Sequence, residues 1–169
     1  MRALLLTALA ASSAACTLNE MLPEAPTDLR RYPRVLVLPF EDKDGLGKLY
    51  ARNTTRGLLA LGLSPVPAEQ AEALVEGRPG ALTAQDLAGL RDKTRADAVL
   101  SGKVDCGTPG ARAASVSFIL QETAEGRVVL KEAFQPKRCG SSMDVQPIAM
   151  GVTALFRREL ERRAAEAAP

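Results

Sequence analysis

Apolar residues run without a break over Val35-Leu36-Val37-Leu38, continue through Pro39 and Phe40, and stop at the acidic pair Glu41 and Asp42. Successive side chains of a strand point to opposite faces, so Val35 and Val37 share one face and Leu36 and Leu38 the other. Both faces are apolar. The run therefore reads as a central β-strand, with neighbours in its sheet and a layer over each face. The pattern then changes period. Tyr50, Thr54, Leu58 and Leu61 form one stripe at helical spacing, with Ala51 and Leu59 alongside, which predicts a core-facing helix over 49–61 ended by a left-handed cap at Gly62.

Leu63-Ser64-Pro65-Val66-Pro67 reads as a short edge strand, because its two prolines cannot donate to a ladder. A brief helix over 68–76 turns Ala71, Leu74 and Val75 inward and stops at Gly77. After a turn at Arg78-Pro79-Gly80-Ala81, Thr83 and Asp86 have the spacing of a capping box, flanked by Leu82 and Leu87 as a hydrophobic staple. That helix runs to about Thr94 with Leu87 and Leu90 inward. A second buried strand covers 96–104 and ends at Cys106-Gly107. Val116, Phe118 and Leu120 then alternate, a turn forms around Ala124-Glu125-Gly126, and Val128 to Phe134 completes a hairpin. The last helix starts near Pro147, a residue suited to a first helical turn, and passes Leu160. Its apolar face is Ile148, Val152, Leu155 and Phe156. Arg157, Arg158, Arg162 and Arg163 interleave with Glu159 and Glu161 as a solvated helix end, an acidic partner surface being the functional alternative.

These elements make an α/β (α+β) fold: a single domain of two to three layers, with a mixed sheet of about five strands and a C-terminal hairpin and helix. The 169 residues allow one ordinary domain with a leader and a tail. Aromatic residues are 4% of the chain and tryptophan is absent, so Leu, Val and Ala must build the core. The formal charge is +2, and no cluster of Lys and Arg is interleaved with aromatics, which argues against nucleic acid as a partner.

The amino terminus has its own logic. Met1-Arg2 is followed by the apolar Ala3 to Ala11 and then by Ser12-Ser13-Ala14-Ala15-Cys16, the form of a secretory signal. The apolar run is short of the ~20 residues that cross a bilayer. Ala14-Ala15-Cys16 resembles the lipobox of bacterial lipoproteins, with Ser13 where that pattern prefers leucine. The resemblance implies lipid on Cys16 as the mature first residue, with ordinary signal cleavage nearby as the alternative. Residues 1–15 are then a signal peptide, 16–32 a lipidated tether with prolines at 23 and 26, 33–163 the folded domain and 164–169 a tail. By resemblance to the sorting rule in which aspartate after the cysteine retains a lipoprotein at the inner membrane, Thr17 implies the outer membrane, with the domain facing the periplasm.

Setting Cys16 aside leaves Cys106 and Cys139, an even number. In an oxidising compartment they read as a disulfide or as two separate buried thiols, with metal or redox work as the remaining options. The chain contains no histidine, so a Cys-His nucleophile is excluded and zinc would need carboxylates. A disulfide has a route: Cys106 and the segment after Phe134 fall at one end of the sheet, provided the loop folds back across ~9.6 Å, two strand spacings.

The loop after the first strand, Glu41-Asp42-Lys43-Asp44-Gly45-Leu46-Gly47-Lys48, lacks the Gly-Lys-Ser/Thr ending of a phosphate loop. It also lacks the glutamate that closes a calcium loop. A solvated turn is the reading, with Glu41, Asp42 and Asp44 as the only carboxylates near a strand end for acid/base work.

The strand at 35–40, the 62–66 stretch, the strand at 96–104 and the Gly126-centred hairpin together resemble the TolB amino-terminal-like domains, found in TolB, CsgG-like lipoproteins and LpoB-type activators, over residues 33 to 163. The resemblance implies a non-catalytic envelope lipoprotein that binds another periplasmic or outer-membrane protein, with no cofactor beyond the lipid on Cys16. The alternatives are a ring subunit of a trans-envelope machine, which self-assembles, and a carboxylate-dependent hydrolase. A curli-type pore is disfavoured: its spanning strands take about 9 to 11 alternating residues, whereas the hairpin at 116–134 is already needed by the core.

Overall fold

The structure is a computed structural model that describes residues 28–74, 82–108 and 112–166. Its elements are β1 (Val35–Val37), α1 (Gly47–Ala60), α2 (Ala68–Leu74), α3 (Ala84–Thr94), β2 (Ala98–Asp105), β3 (Ser115–Glu122), β4 (Val128–Phe134) and α4 (Val145–Glu166). Single 3-10 turns, Leu29–Arg31 and Ser142–Asp144, precede β1 and α4.

The sheet has the order β1-β2-β3-β4. β1 and β2 are parallel, with Leu36 opposite Val99, and the other pairs are antiparallel. This corrects the sequence reading in two respects. The strand at 35–37 lies at one side of the sheet rather than its centre, and there are four strands rather than about five. The expected edge strand does run beside β1, since the Ser64 N–H donates to Pro33 O at 2.7 Å and the Val66 N–H to Val35 O at 2.9 Å. Pro65 and Pro67 alternate with these donors and face away from β1, so the outer side of this stretch lacks the N–H groups that a further strand would need.

The two faces of β1 separate as the alternation requires. Val35 and Val37 join the larger cluster with Tyr50 and Leu58 of α1 and Ile148, Val152 and Phe156 of α4. Leu36 and Leu38 join the smaller one with Val66, Ala71, Leu87 and Leu90. No residue of β3 or β4 belongs to that second cluster, so α2 and α3 cover only the β1–β2 half. The domain is three layers on one side and two on the other.

Local signals explain the boundaries. Gly62, at φ 83°, follows the end of α1. Thr83 and Asp86 form the expected reciprocal cap. Leu59, expected beside the buried stripe, is instead 63% exposed, since it stands about 100° around the helix from the fully buried Leu58. Helices α1 and α4 meet closely at Gly57, where a Cβ would stand 2.2 Å from the Thr153 hydroxyl. Phe118 and Phe156 stack with centroids 5.9 Å apart. Core packing already includes Leu29 and Tyr32. Val75, Gly77, the turn at 78–81 and all of 1–27, Cys16 included, lie outside the described residues, as does the Arg163 side chain.

Candidate functional site

β2 and β4 are both antiparallel to β3, and β1 is parallel to β2, so the carboxyl ends of β1, β2 and β4 share one end of the sheet. Three loops gather there: 41–46 after β1, the Cys106 loop after β2, and 135–141 after β4. Cys106 and Cys139 are joined by a disulfide with Cα atoms 5.2 Å apart. β3 lies between their strands, and the chain folds back to bridge it through Gly140 at φ 104°, a backbone conformation open to glycine.

The carboxylates of this end are occupied by local structure. Glu41 pairs with Lys103. Asp42 Oδ1 accepts from the backbone N–H groups of Asp44 at 2.8 Å and Leu46 at 2.9 Å, which shapes the entry to α1. Asp44 Oδ2 lies 3.5 Å from Cys106 Sγ. Asp105 accepts from the Gly107 N–H and from Arg112. The Gly107 hydrogen bond, followed by the charges of Arg112, Lys43 and Lys103, holds the Asp105 carboxyl below its ordinary value. Thus the structure keeps Glu41, Asp42 and Asp44 on one loop, where Glu41 and Asp42 have structural partners and Asp44 is the exception, since a disulfide sulfur has no proton to donate to it. Among the described residues no three Asp, Glu, Cys or His side chains are grouped to hold a metal ion.

Asp144, which sequence reasoning passed over, and Tyr50, which it placed on the core-facing stripe, also sit here. Asp144 is buried and accepts from the Ser141 N–H at 3.2 Å and hydroxyl at 2.6 Å. The Ser141-x-x-Asp144 spacing ahead of the helix was a readable capping signal. Tyr50 is 1% exposed, and its hydroxyl has no hydrogen-bond partner among the described residues. Burial, then the nearby charges of Asp42, Asp44 and Asp144, push it up to about 12.

Beside the disulfide lies a shallow groove of about 560 Å³ bordered by Pro136, Lys137, Arg138, Ser141, Met143 and Asp144. Lys137 and Arg138 are exposed. Met143 is 80% exposed and Met150, seven residues on, 63%.

The opposite end of the sheet is closed differently. The Tyr32 hydroxyl donates to Glu122 Oε2 at 2.7 Å, and Arg127 pairs with the same oxygen at 3.1 Å. Burial first, and the Glu122 hydrogen bond second, raise the Tyr32 hydroxyl above its usual 10.0. No periodicity announces this contact, since its partners are 90 residues apart.

Neither a family model nor a curated protein matches the chain. Solved structures do. Lipoprotein GNA1162 from Neisseria meningitidis is 18% identical with a TM-score of 0.50, over 74% of this chain and 98% of that one. TolB from Acinetobacter baumannii matches at 15% identity and TM-score 0.46, over 76% of this chain and 28% of TolB. LpoB from E. coli matches at 19% and 0.43, over 60% and 54%. At such identities the likeness is one of fold, and the first of the three carries it. Among the described residues no helix is long and apolar enough to cross a membrane.

Proposed function

We propose that the chain is a non-catalytic envelope lipoprotein, anchored through lipid on Cys16, that binds another periplasmic or outer-membrane protein as an assembly or regulatory component. Its domain faces the periplasm from the outer membrane, and it uses no cofactor beyond the lipid. The observation that carries this reading is the bond between Cys106 and Cys139. Disulfides persist in oxidising compartments, which is where the signal-like leader and the Ala14-Ala15-Cys16 site would deliver the domain. The fold shared with a neisserial lipoprotein agrees with that address. The structural engagement of Glu41 and Asp42, which leaves Asp44 as the one unengaged carboxylate of that loop, favours binding over hydrolysis by paired carboxylates.

The test is pull-down from crosslinked envelopes, comparing the natural chain with a Cys16→Ser form. A defined envelope protein recovered with the natural chain and depleted with the variant is the expected result. Recovery of no protein partner by either form would count against the reading.

A further inference from the structure

Most cations at the disulfide end are neutralised: Lys103 by Glu41, Arg112 by Asp105, Arg52 by Glu72. Lys43, on the loop after β1, is one exception; Lys137 and Arg138 are the adjacent pair. They project from the loop that Cys139 staples to the end of β2, they border the groove, and neither has an ion-pair or hydrogen-bond partner among the described residues. The groove's own carboxylate, Asp144, is buried and held by Ser141. Asp44 is exposed on the neighbouring loop and forms no ion pair with either cation among the described residues. Apolar side chains contribute beside them: Met143 at the groove, then exposed Pro147 and Met150 along the first two turns of α4.

From this juxtaposition we infer that the groove is the docking site for an acidic, amphipathic segment of the partner protein. Its carboxylates meet Lys137 and Arg138, and its apolar side chains lie on Met143 and Met150. The inference rests on the partner-binding reading above and supplies its surface. Charge complementarity selects an acidic occupant, because the two cations bordering the groove have no acid of their own among the described residues. Methionine suits the apolar half, since its flexible thioether adapts to a partner's shape. The disulfide fixes the loop before binding, which lowers the ordering cost.

Geometry favours protein over an anionic membrane. The chain enters the domain at Asp28, at the amino end of β1, whereas the groove lies at the carboxyl ends of the strands. The eight residues of β2 alone separate these ends by about 26 Å, so the groove and the point where the described chain enters lie at opposite ends of the sheet.

The test places a photo-crosslinking amino acid at Met143 of the full chain, with a second form carrying it at Glu125 on the opposite end of the sheet. The expected result is a protein adduct from position 143 whose mapped peptide is rich in Asp or Glu next to apolar residues. Lys137→Glu with Arg138→Glu should lower its yield about tenfold, the loss expected from one or two charge-assisted contacts. The neutral pair Lys137→Gln with Arg138→Gln should lower it less, while Arg30→Glu with Arg31→Glu should leave it unchanged. An adduct to lipid, to a second copy of this chain or to a peptide without acidic residues overturns the inference, as does a yield indifferent to the charge reversal. An adduct from Glu125 alone sinks this surface but leaves partner binding standing. Adducts from neither position sink both.

Discussion

The two ends of the sheet each hold a buried tyrosine under a loop, but different chemistry closes them. At the carboxyl ends of β1, β2 and β4 a covalent bond between Cys106 and Cys139 ties loops 33 residues apart, and the Tyr50 hydroxyl beneath is left without a partner. At the other end no covalent tie exists among the described residues, and the Tyr32 hydroxyl is bound into Glu122 and Arg127. At the disulfide end Asp42, Asp105 and Asp144 also brace their loops, but Lys137 and Arg138 take no part and remain available to a partner. At the other end the side chains that hold the loops are spent on each other. The comparison separates a surface suited to recognition from one devoted to closure.

The largest effect should come from cutting the covalent tie. Replacing Cys106 and Cys139 together with Ser releases a loop whose closure is worth about 3 to 4 kcal/mol in the chain-entropy account, given the separation of 33 residues. Urea denaturation of the two forms measures it, and equal midpoints would show that the disulfide end needs no staple. Glu122→Ala breaks the other end. It strips the buried Tyr32 hydroxyl of its acceptor and Arg127 of its counter-charge, at a cost of about 2 kcal/mol in the same experiment.

The tyrosines sharpen the contrast. Tyr32→Phe should cost about 1 kcal/mol, because it removes a hydrogen bond to a charged group. Tyr50→Phe should change stability by less than about 0.5 kcal/mol or raise it, since the lost hydroxyl is buried and unpartnered. Alkaline pH distinguishes them again. Tyr50 keeps its proton in the folded state up to about 12, while the unfolded chain loses it near the usual 10.0. Between pH 10 and 12 the unfolded state therefore binds fewer protons, and stability that is fully present below pH 10 is lost as pH rises. Denaturation across that window should show the fall, and Tyr50→Phe should remove Tyr50's share. An unchanged slope would mean that the phenol ionises as freely in the fold as outside it.

What the sequence disclosed follows a physical division. Patterns that repeat along one element were legible: the Val35/Val37 and Leu36/Leu38 faces of β1, the Tyr50-Thr54-Leu58 stripe, the Thr83–Asp86 cap and the Val116-Phe118-Leu120 alternation all reappear in the packing. The position of a strand within its sheet was less so. The run at 35–38 is apolar on both faces, as a central strand would be, yet it lies at the side because its outer neighbour, the stretch at 63–67, gives it two hydrogen bonds rather than a ladder. Contacts between distant side chains were the least legible. Tyr32 and Glu122 carry no shared spacing, and nothing in the order of residues marked Lys137 and Arg138 as cations left without acids.

The direct test of the central claim is the mass of the mature protein extracted from envelopes of its own host. The account predicts a chain beginning at Cys16, heavier by its lipid and lighter by the two hydrogens lost in joining Cys106 to Cys139. A mature amino terminus at any other residue, without lipid, would contradict it.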